Sequence, residues 1–307
     1  MSGYINSEEL PCCYFAAGNV CKRGFVTTLW QSPIKLELFL QTTKMPTNSN
    51  SNPSQVLDVA LLPSLIEPES LSGKTVVVVD VLRATTTIVH ALHNGAEKVL
   101  PQPSIEAAHA AHAAEAGESL LGGERGGRIV DGFHNGNSPV EYTPEVITGK
   151  TLILATTNGT VAMERCRSAK RVLIGAMVNL AALTDVLINE PLVTVVCSGT
   201  DGWVTSEDVI FGGALVERLI EARTNSGKPV GKITDTANIA LNHWQNTKRT
   251  VDDAGSSGSL AEVFRNARGG INLVKIGHDP DIVFASQIDK IPVVPELDLD
   301  KWSIQLI

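Results

Sequence analysis

The chain has 307 residues, 43% of them hydrophobic and 19% charged, so it can bury the core of one large or two modest domains. Its net charge of −8 argues against a surface that binds nucleic acid or an anionic membrane. The sequence lacks an apolar run of about 18 residues, which a membrane-spanning helix needs.

Residues 1–54 differ in character from the rest of the sequence. They show no alternation of strand and helix patterns, carry three of the five cysteines, and end in a polar tract at 46–54. The odd cysteine count and the absence of CxxC pairs predict no structural zinc site and a reducing, cytoplasmic location. We predict a poorly structured extension at 1–54, with Met45 as an alternative translation start, and an α/β domain of one or two lobes at 55–307.

From residue 55 onward, short apolar runs alternate with segments of helical periodicity, which is typical of α/β domains. We expect a layered α/β/α fold with a largely parallel sheet built from repeated strand–turn–helix units. The predicted strands are 55–61, 75–79, 98–101, 119–121, 151–155, 171–174, 192–197 and 290–294. The predicted helices are 85–94, 105–116, 160–166, 180–188, 208–223, 236–248, 259–268 and 280–286.

Two of these units resemble each other. Residues 75–100 read strand, threonine-rich turn, helix and GAEKVL, and residues 151–173 read strand, TTNGT turn, helix and SAKRVL. A general likeness between any two such units explains this equally well. If the repeat is real, its two turns should lie close together at one edge of the sheet.

The run Val76 to Val79 ends at Asp80, and Arg83 and three threonines follow before the next helix. Four consecutive valines indicate a strand that is buried on both faces of a parallel sheet. Ligands of open α/β sheets bind beyond the carboxyl ends of the strands, where a helix N-terminus favours an anion. These residue types therefore indicate a phosphate with a divalent metal.

Five turns rich in glycine and polar residues follow or lie near predicted strands, at 80–87, 122–127, 135–139, 156–160 and 198–208. All five could line one pocket, where glycines let backbone N–H groups approach an anion closely. We expect these turns to bind the substrate. The candidate substrate ligands are Thr85, Thr86, Arg125, Asn137, Ser138, Thr157, Gly159, Thr160, Ser198 and Thr200.

The candidate magnesium ligands are Asp80, Glu124, Glu207 and Asp208, because hard cations prefer carboxylate oxygens. Taken singly, an aspartate at such a position is more often a helix cap, and both interpretations stay open. Arg83 could bind an anion bidentately or form a salt bridge with a neighbouring carboxylate, and the same alternatives apply to Arg125.

Several familiar catalytic sites are excluded. The sequence has no P-loop, no GxGxxG after the first strand and no GxSxG, so nucleotide binding and acyl transfer to serine lack support. Leu82 stands where the aspartyl phosphatases of the haloacid dehalogenase type have a second aspartate.

Six motifs follow one another in a fixed order: DVLRATT from Asp80, GGER from Gly122, NSP from Asn137, TTNGT from Thr156, SGT from Ser198, and the pair Glu207–Asp208. Together they resemble the 2-phosphosulfolactate phosphatase (ComB) family over residues 56–295. The resemblance implies an α/β fold and a Mg²⁺-dependent acid phosphatase that hydrolyses 2-phospho-3-sulfolactate to 3-sulfolactate and phosphate. This reaction is a step towards coenzyme M in organisms that make it, although many bacterial relatives lie outside that pathway.

The mechanism expected on this basis is metal-assisted hydrolysis of a small, anionic phosphorylated substrate. Arg125 would bind the second acidic group of the substrate. Either a carboxylate or a water attacks phosphorus, and Asp80 is the candidate nucleophile in the first case. The candidate catalytic residues are Asp80, Arg83 and Asn158.

Two other functions stay open. The chain could bind phosphorylated acids without turnover, or it could hydrolyse other small phosphorylated hydroxy acids. No nucleic-acid or membrane partner is expected. Homo-oligomerisation suits a chain of this size, but no feature of the sequence indicates it.

Overall fold

The computed structural model describes residues 55–255 and 258–307, which lie in one compact unit, Asn48–Ile307. This part of the chain forms eleven strands and ten α-helices in the layered α/β/α arrangement that the sequence predicts. The predicted extension at 1–54 lies outside the described residues. Across these ranges, every α-helix is too short or too polar to cross a membrane.

The strands form a single sheet, and the helices pack against it. The strands are β1 (Val56–Ala60), β2 (Thr75–Val79), β3 (Lys98–Gln102), β4 (Ser119–Arg125), β5 (Arg128–Ile129), β6 (Thr151–Ala155), β7 (Arg171–Gly175), β8 (Leu192–Cys197), β9 (Lys232–Ile233), β10 (Pro295–Asp298) and β11 (Ser303–Leu306). The helices are α1 (Ala84–His93), α2 (Ile105–Ala114), α3 (Pro144–Ile147), α4 (Asn158–Arg165), α5 (Leu180–Leu187), α6 (Ser206–Asn225), α7 (Asp235–Asp253), α8 (Leu260–Arg265), α9 (Arg268–Lys275) and α10 (Asp279–Ala285).

Strand β2 is buried on both faces, as its four valines predict. Val77 and Val79 pack into one core with α5, α6 and α7, whereas Val76 and Val78 pack into a second core with α1 and α4. Each fully buried valine contributes about 1.5–3 kcal/mol relative to an exposed one. The central strand therefore joins two hydrophobic layers and fixes the position of the turn at its carboxyl end.

Two predictions of secondary structure are wrong. Residues 290–294 are not a strand; β10 begins at Pro295 instead. Pro292 lacks the N–H that a ladder needs, whereas proline is tolerated at the first position of a strand. The predicted helix at 259–268 ends early, at Arg265, and a separate helix that was not predicted, α9, begins at Arg268. The chain folds back so closely between them that a Cβ on Gly270 would lie 1.9 Å from the carbonyl oxygen of Phe264.

The sheet contains two parallel groups of strands that run in opposite directions. Its order is β5-β4-β6-β3-β11-β10-β7-β2-β8-β1-β9. Strands β4, β6 and β3 are parallel to one another, and so are β7, β2, β8, β1 and β9. The hairpin β10–β11 lies between them and pairs antiparallel with β7 and β3, so three successive antiparallel pairings reverse the direction.

The turns after β2 and β6 are in contact, as the internal repeat predicts. A Cβ on Gly159, in the first turn of α4, would lie 2.9 Å from the Cβ of Ala84, the first residue of α1. The meeting point is not one edge of a uniformly parallel sheet, because β2 and β6 belong to the opposed groups. Each pairing rotates the next strand by roughly 20–25°, and this accumulated twist allows their carboxyl ends to converge.

Candidate active site

A cleft lies where the turns after β2 and β6 meet the N-terminus of α9. All five polar turns identified in the sequence contribute to it, whereas the contribution of α9 was not predicted. Of the predicted site residues, those lining the cleft are Asp80, Arg83, Glu124, Asn137, Thr157, Asn158 and Thr200.

Asp80 is held between the N-termini of α1 and α4. Its Oδ1 accepts a hydrogen bond from the Ala84 N–H at 3.3 Å, and the Gly159 N–H also donates to its carboxylate. Burial raises the pKa of Asp80 well above that of an exposed aspartate, and the charges of Asp208 and Glu124 raise it further. Asp80 is only 6% exposed and lines the cleft, so a cation bound there would compensate the charge of a poorly solvated carboxylate.

Thr85 and Thr86, predicted as substrate ligands, hold the turn that presents Asp80 and do not line the cleft. The Oγ1 of Thr85 accepts from the Asp80 N–H and donates to the Asp80 carbonyl, both at 2.9 Å. The Oγ1 of Thr86 donates to the Val81 carbonyl at 2.8 Å. Both residues are fully buried, so their hydroxyls stabilise the backbone after β2.

Arg83 lines the cleft, and two hydrogen bonds to other parts of the protein hold its guanidinium in place. Its Nη1 donates to Oδ2 of Asp281 at 2.6 Å, and its Nη2 donates to the carbonyl of Gly127 at 2.8 Å. The predicted salt bridge therefore exists, although its partner is Asp281 on α10 and not a neighbouring carboxylate. Ser138, another predicted substrate ligand, donates through Oγ to Oδ1 of Asp281 at 2.6 Å.

Besides the cleft-lining residues of α9, sequence reasoning missed Asp281. It lies 198 positions from Arg83, and the only local signal is an Asp-Pro-Asp start of a short helix. Such a start is ordinary for a helix, because acidic residues favour the first turn. Only the packing of α10 against the cleft reveals the pair.

Glu124 ties the turn after β4 to the turn after β6. Its Oε2 accepts from the Gly127 N–H at 2.7 Å, and its Oε1 accepts from the N–H and the Oγ1 of Thr157 at 3.3 and 3.2 Å. Asn158 then links this turn to the one after β8, because its Oδ1 accepts from the Asp201 N–H at 3.2 Å. Three separate turns are thereby fixed around the cleft.

Glu207 and Asp208 are buried behind the cleft lining. Oδ1 of Asp208 accepts from the Val81 N–H, and its Oδ2 accepts from the Gly199 N–H, both at 2.9 Å. These bonds oppose the effect of burial, which raises the pKa of Asp208. Burial, followed by the charge of Asp208, raises the pKa of Glu207, whose Oε2 has no hydrogen-bond partner among the described residues.

Three more of the predicted substrate ligands, Arg125, Thr160 and Ser198, do not line the cleft. Nη1 of Arg125 donates to the Glu124 carbonyl at 2.7 Å. The hydroxyls of Thr160 and Thr156 share a buried hydrogen bond of 3.1 Å. Ser198 is buried, and its Oγ has no hydrogen-bond partner in the ranges that the structure describes.

The carboxylates that line the cleft fit a magnesium ion that is bound by few protein side chains. Within 55–255 and 258–307, no group of three or more His, Cys, Asp or Glu side chains is arranged to hold a metal. Mg²⁺ is usually bound by one or two carboxylates, with waters and substrate phosphate completing its shell. Asp80 and Glu124 both line the cleft and supply two carboxylates of this kind.

Comparison with known proteins agrees with the motifs around the cleft. The family model described as 2-phosphosulpholactate phosphatase matches residues 60–300. A probable 2-phosphosulfolactate phosphatase of Synechococcus sp. (strain CC9605) is 41% identical over 233 residues, which are 74% of this chain and 90% of that protein.

Two further relatives carry the same name, one from Clostridium perfringens (strain SM101 / Type A) and one from Thermotoga maritima. The first is 36% identical over 78% of this chain and 92% of its own, and the second is 35% identical over 79% and 95%. The chain therefore belongs to the 2-phosphosulpholactate phosphatase family, a family of phosphoric monoester hydrolases.

Proposed function

We propose that this protein hydrolyses the phosphomonoester of 2-phospho-3-sulfolactate to 3-sulfolactate and phosphate, with Mg²⁺ as its cofactor. The observation that carries the proposal is a single cleft whose lining brings the carboxylates of Asp80 and Glu124 together with the buried guanidinium of Arg83. The names of the relatives support the substrate, and the donor set supports the metal.

The phosphoryl group would bind between Arg83 and the first turn of α4. Two of the five N–H donors of Arg83 have partners among the described residues, and the others are assigned to phosphoryl oxygens. Asn158 begins α4, and the dipole of this helix favours an anion at its N-terminus. A preorganised donor of this kind is worth about 3 kcal/mol in the transition state.

Asp80 and Glu124 would hold Mg²⁺ in the cleft. The ion would neutralise charge on the transferring phosphoryl group when it is bound. Glu124 is oriented by Gly127 and Thr157, and Asp80 is oriented by the N–H groups of Ala84 and Gly159. The protein thus presents both carboxylates in fixed orientations before any ligand arrives.

The proposal includes a cellular location and a metabolic role. The described cysteines, Cys166 and Cys197, are free and buried, which supports a cytoplasmic location. In an organism that makes coenzyme M, the product 3-sulfolactate would enter that synthesis.

A substrate panel tests the assignment. Phosphate release is measured from racemic 2-phosphosulfolactate, phospholactate and phosphoglycolate under one set of conditions. The proposal predicts the highest kcat/KM for phosphosulfolactate. A higher kcat/KM for phospholactate or phosphoglycolate would assign the cleft to another phosphorylated hydroxy acid, and no release from any of the three would reduce it to a binding site.

A further inference from the structure

Arg83 combines two features that conflict unless a function requires them. It lines the cleft, yet its side chain is only 2% exposed, so the guanidinium is almost fully desolvated. A buried ion pair is costly to desolvate, and an apolar pair of similar size would often stabilise a fold equally well. Stability alone therefore does not explain an arginine at this place.

Two segments distant from Arg83 in sequence determine the orientation of its guanidinium. Nη1 donates to Asp281 on α10, and Nη2 donates to the carbonyl of Gly127 in the turn between β4 and β5. Because the guanidinium is planar and its five donors form a rigid fork, fixing two of them also fixes the directions of the rest.

Asp281 is itself held at both carboxylate oxygens. Oδ2 accepts from Arg83, while Oδ1 accepts from Oγ of Ser138 at 2.6 Å. Nδ1 of His278 also lies 3.2 Å from Oδ2. The carboxylate of Asp281 is 2% exposed and cannot rotate without breaking the bonds to Arg83 and Ser138.

We infer that Asp281 and Ser138 are positioning residues, which aim the free N–H donors of Arg83 at the phosphoryl group of the substrate. The inference rests on the proposed function, because it takes the ligand of Arg83 to be a phosphate. Ser138 sets the rotation of the Asp281 carboxylate, and Asp281 sets the orientation of the guanidinium. Neither residue lines the cleft.

The test compares Asp281→Asn and Ser138→Ala with Asp279→Asn as a matched control. Asp279 is on the same helix and pairs with Arg265 at 2.7 Å, but neither residue lines the cleft. Two quantities are measured in the full chain with Mg²⁺: the affinity for inorganic phosphate by calorimetry, and kcat/KM for phosphosulfolactate.

Asp281→Asn is expected to lower both quantities by about 10–100-fold, the loss that a misplaced donor produces. Ser138→Ala should lower both by a smaller factor, and Asp279→Asn should leave both unchanged. In an Arg83→Lys background, Asp281→Asn should cause no further loss, because the residue acts only through the guanidinium.

The inference is overturned if folded Asp281→Asn binds phosphate like the wild type, or if its loss multiplies with that of Arg83→Lys. Should Asp281→Asn fail to fold, wild-type phosphate affinity in Ser138→Ala overturns it. If the wild type shows no turnover but the variants bind phosphate more weakly as expected, the proposed function is refuted and the inference stands.

Discussion

At the scale of one residue, the buried carboxylate of Glu207 is expected to lower the stability of the metal-free protein when it is ionised. Its carboxylate is buried near Asp208 and Asp80, and both charges raise its pKa beyond the effect of burial. A carboxyl group with a raised pKa stabilises the folded chain below its unfolded pKa, and this contribution is lost as the pH rises through the folded pKa. The ionised site should therefore destabilise the metal-free protein at alkaline pH.

Replacing Glu207 with glutamine should remove this penalty. We expect metal-free Glu207→Gln to be more stable than the wild type at about pH 8, by on the order of 1–3 kcal/mol. The gain should shrink towards about pH 4.5, where the carboxyl group is protonated in the folded chain and increasingly so in the unfolded chain. Denaturant unfolding at several pH values measures it, with Glu221→Gln, an exposed residue of the same helix, as the control. Equal stability of wild type and Glu207→Gln at alkaline pH would contradict the expectation.

The sequence predicts which residues gather at the site better than it predicts what each side chain does. Asp80 follows a buried strand and Glu124 lies near the end of another strand, so their convergence can be predicted from the pattern. The hydroxyl of Thr85 forms hydrogen bonds with the backbone of its own turn. Arg83 pairs with Asp281 on a distant helix, a contact that only the tertiary packing determines. A hydroxyl next to a strand end can serve a ligand or the backbone, and no local pattern separates the two.

At the scale of elements, the contact between α1 and α4 depends on glycine at position 159. A Cβ there would lie 2.9 Å from the Cβ of Ala84 and 3.2 Å from Oδ2 of Asp80. Gly159→Ala should therefore push the two helix N-termini apart, at a cost of about 1–3 kcal/mol in stability. It should also lower kcat/KM by about 100-fold, because Asp80 is displaced.

Gly117→Ala is the control for this change, because nothing lies within 4 Å of the added Cβ and its backbone is unstrained. Thermal unfolding and phosphate release, measured for both variants, distinguish local crowding from a general effect of alanine. Full activity in Gly159→Ala would show that the contact between the helices does not position Asp80.

Elements defined by their own hydrophobicity were predicted well. Strands β2, β6 and β8 have the predicted bounds because their apolar runs end sharply at polar turns. Strands β10 and β11 are short and half polar, so their positions depend on pairing with β7 and β3. Helix α9 was missed because a Gly-Gly pair at its start lowers helix propensity, whereas tertiary packing requires glycine there.

At the scale of the whole molecule, the C-terminal hairpin joins the two opposed groups of strands. Ile304 of β11 pairs with Val99 of β3 and is fully buried, whereas Ile307 is 61% exposed. Ile304→Ala should cost about 2–5 kcal/mol, the range for a large core side chain, and Ile307→Ala less than about 0.5 kcal/mol. Chemical denaturation gives both values, and equal effects would mean that the hairpin contributes little to joining the groups.

The reaction assigned to the cleft needs both groups of strands, because Asp80 follows a strand of one group and Glu124 ends a strand of the other. The most direct measurement is phosphate release from 2-phosphosulfolactate, with and without Mg²⁺, by the wild type and by Asp80→Asn. We predict release that requires Mg²⁺ and falls at least about 100-fold in the variant. Release that is equal without Mg²⁺, or undiminished in Asp80→Asn, would contradict a metal-dependent phosphatase centred on Asp80.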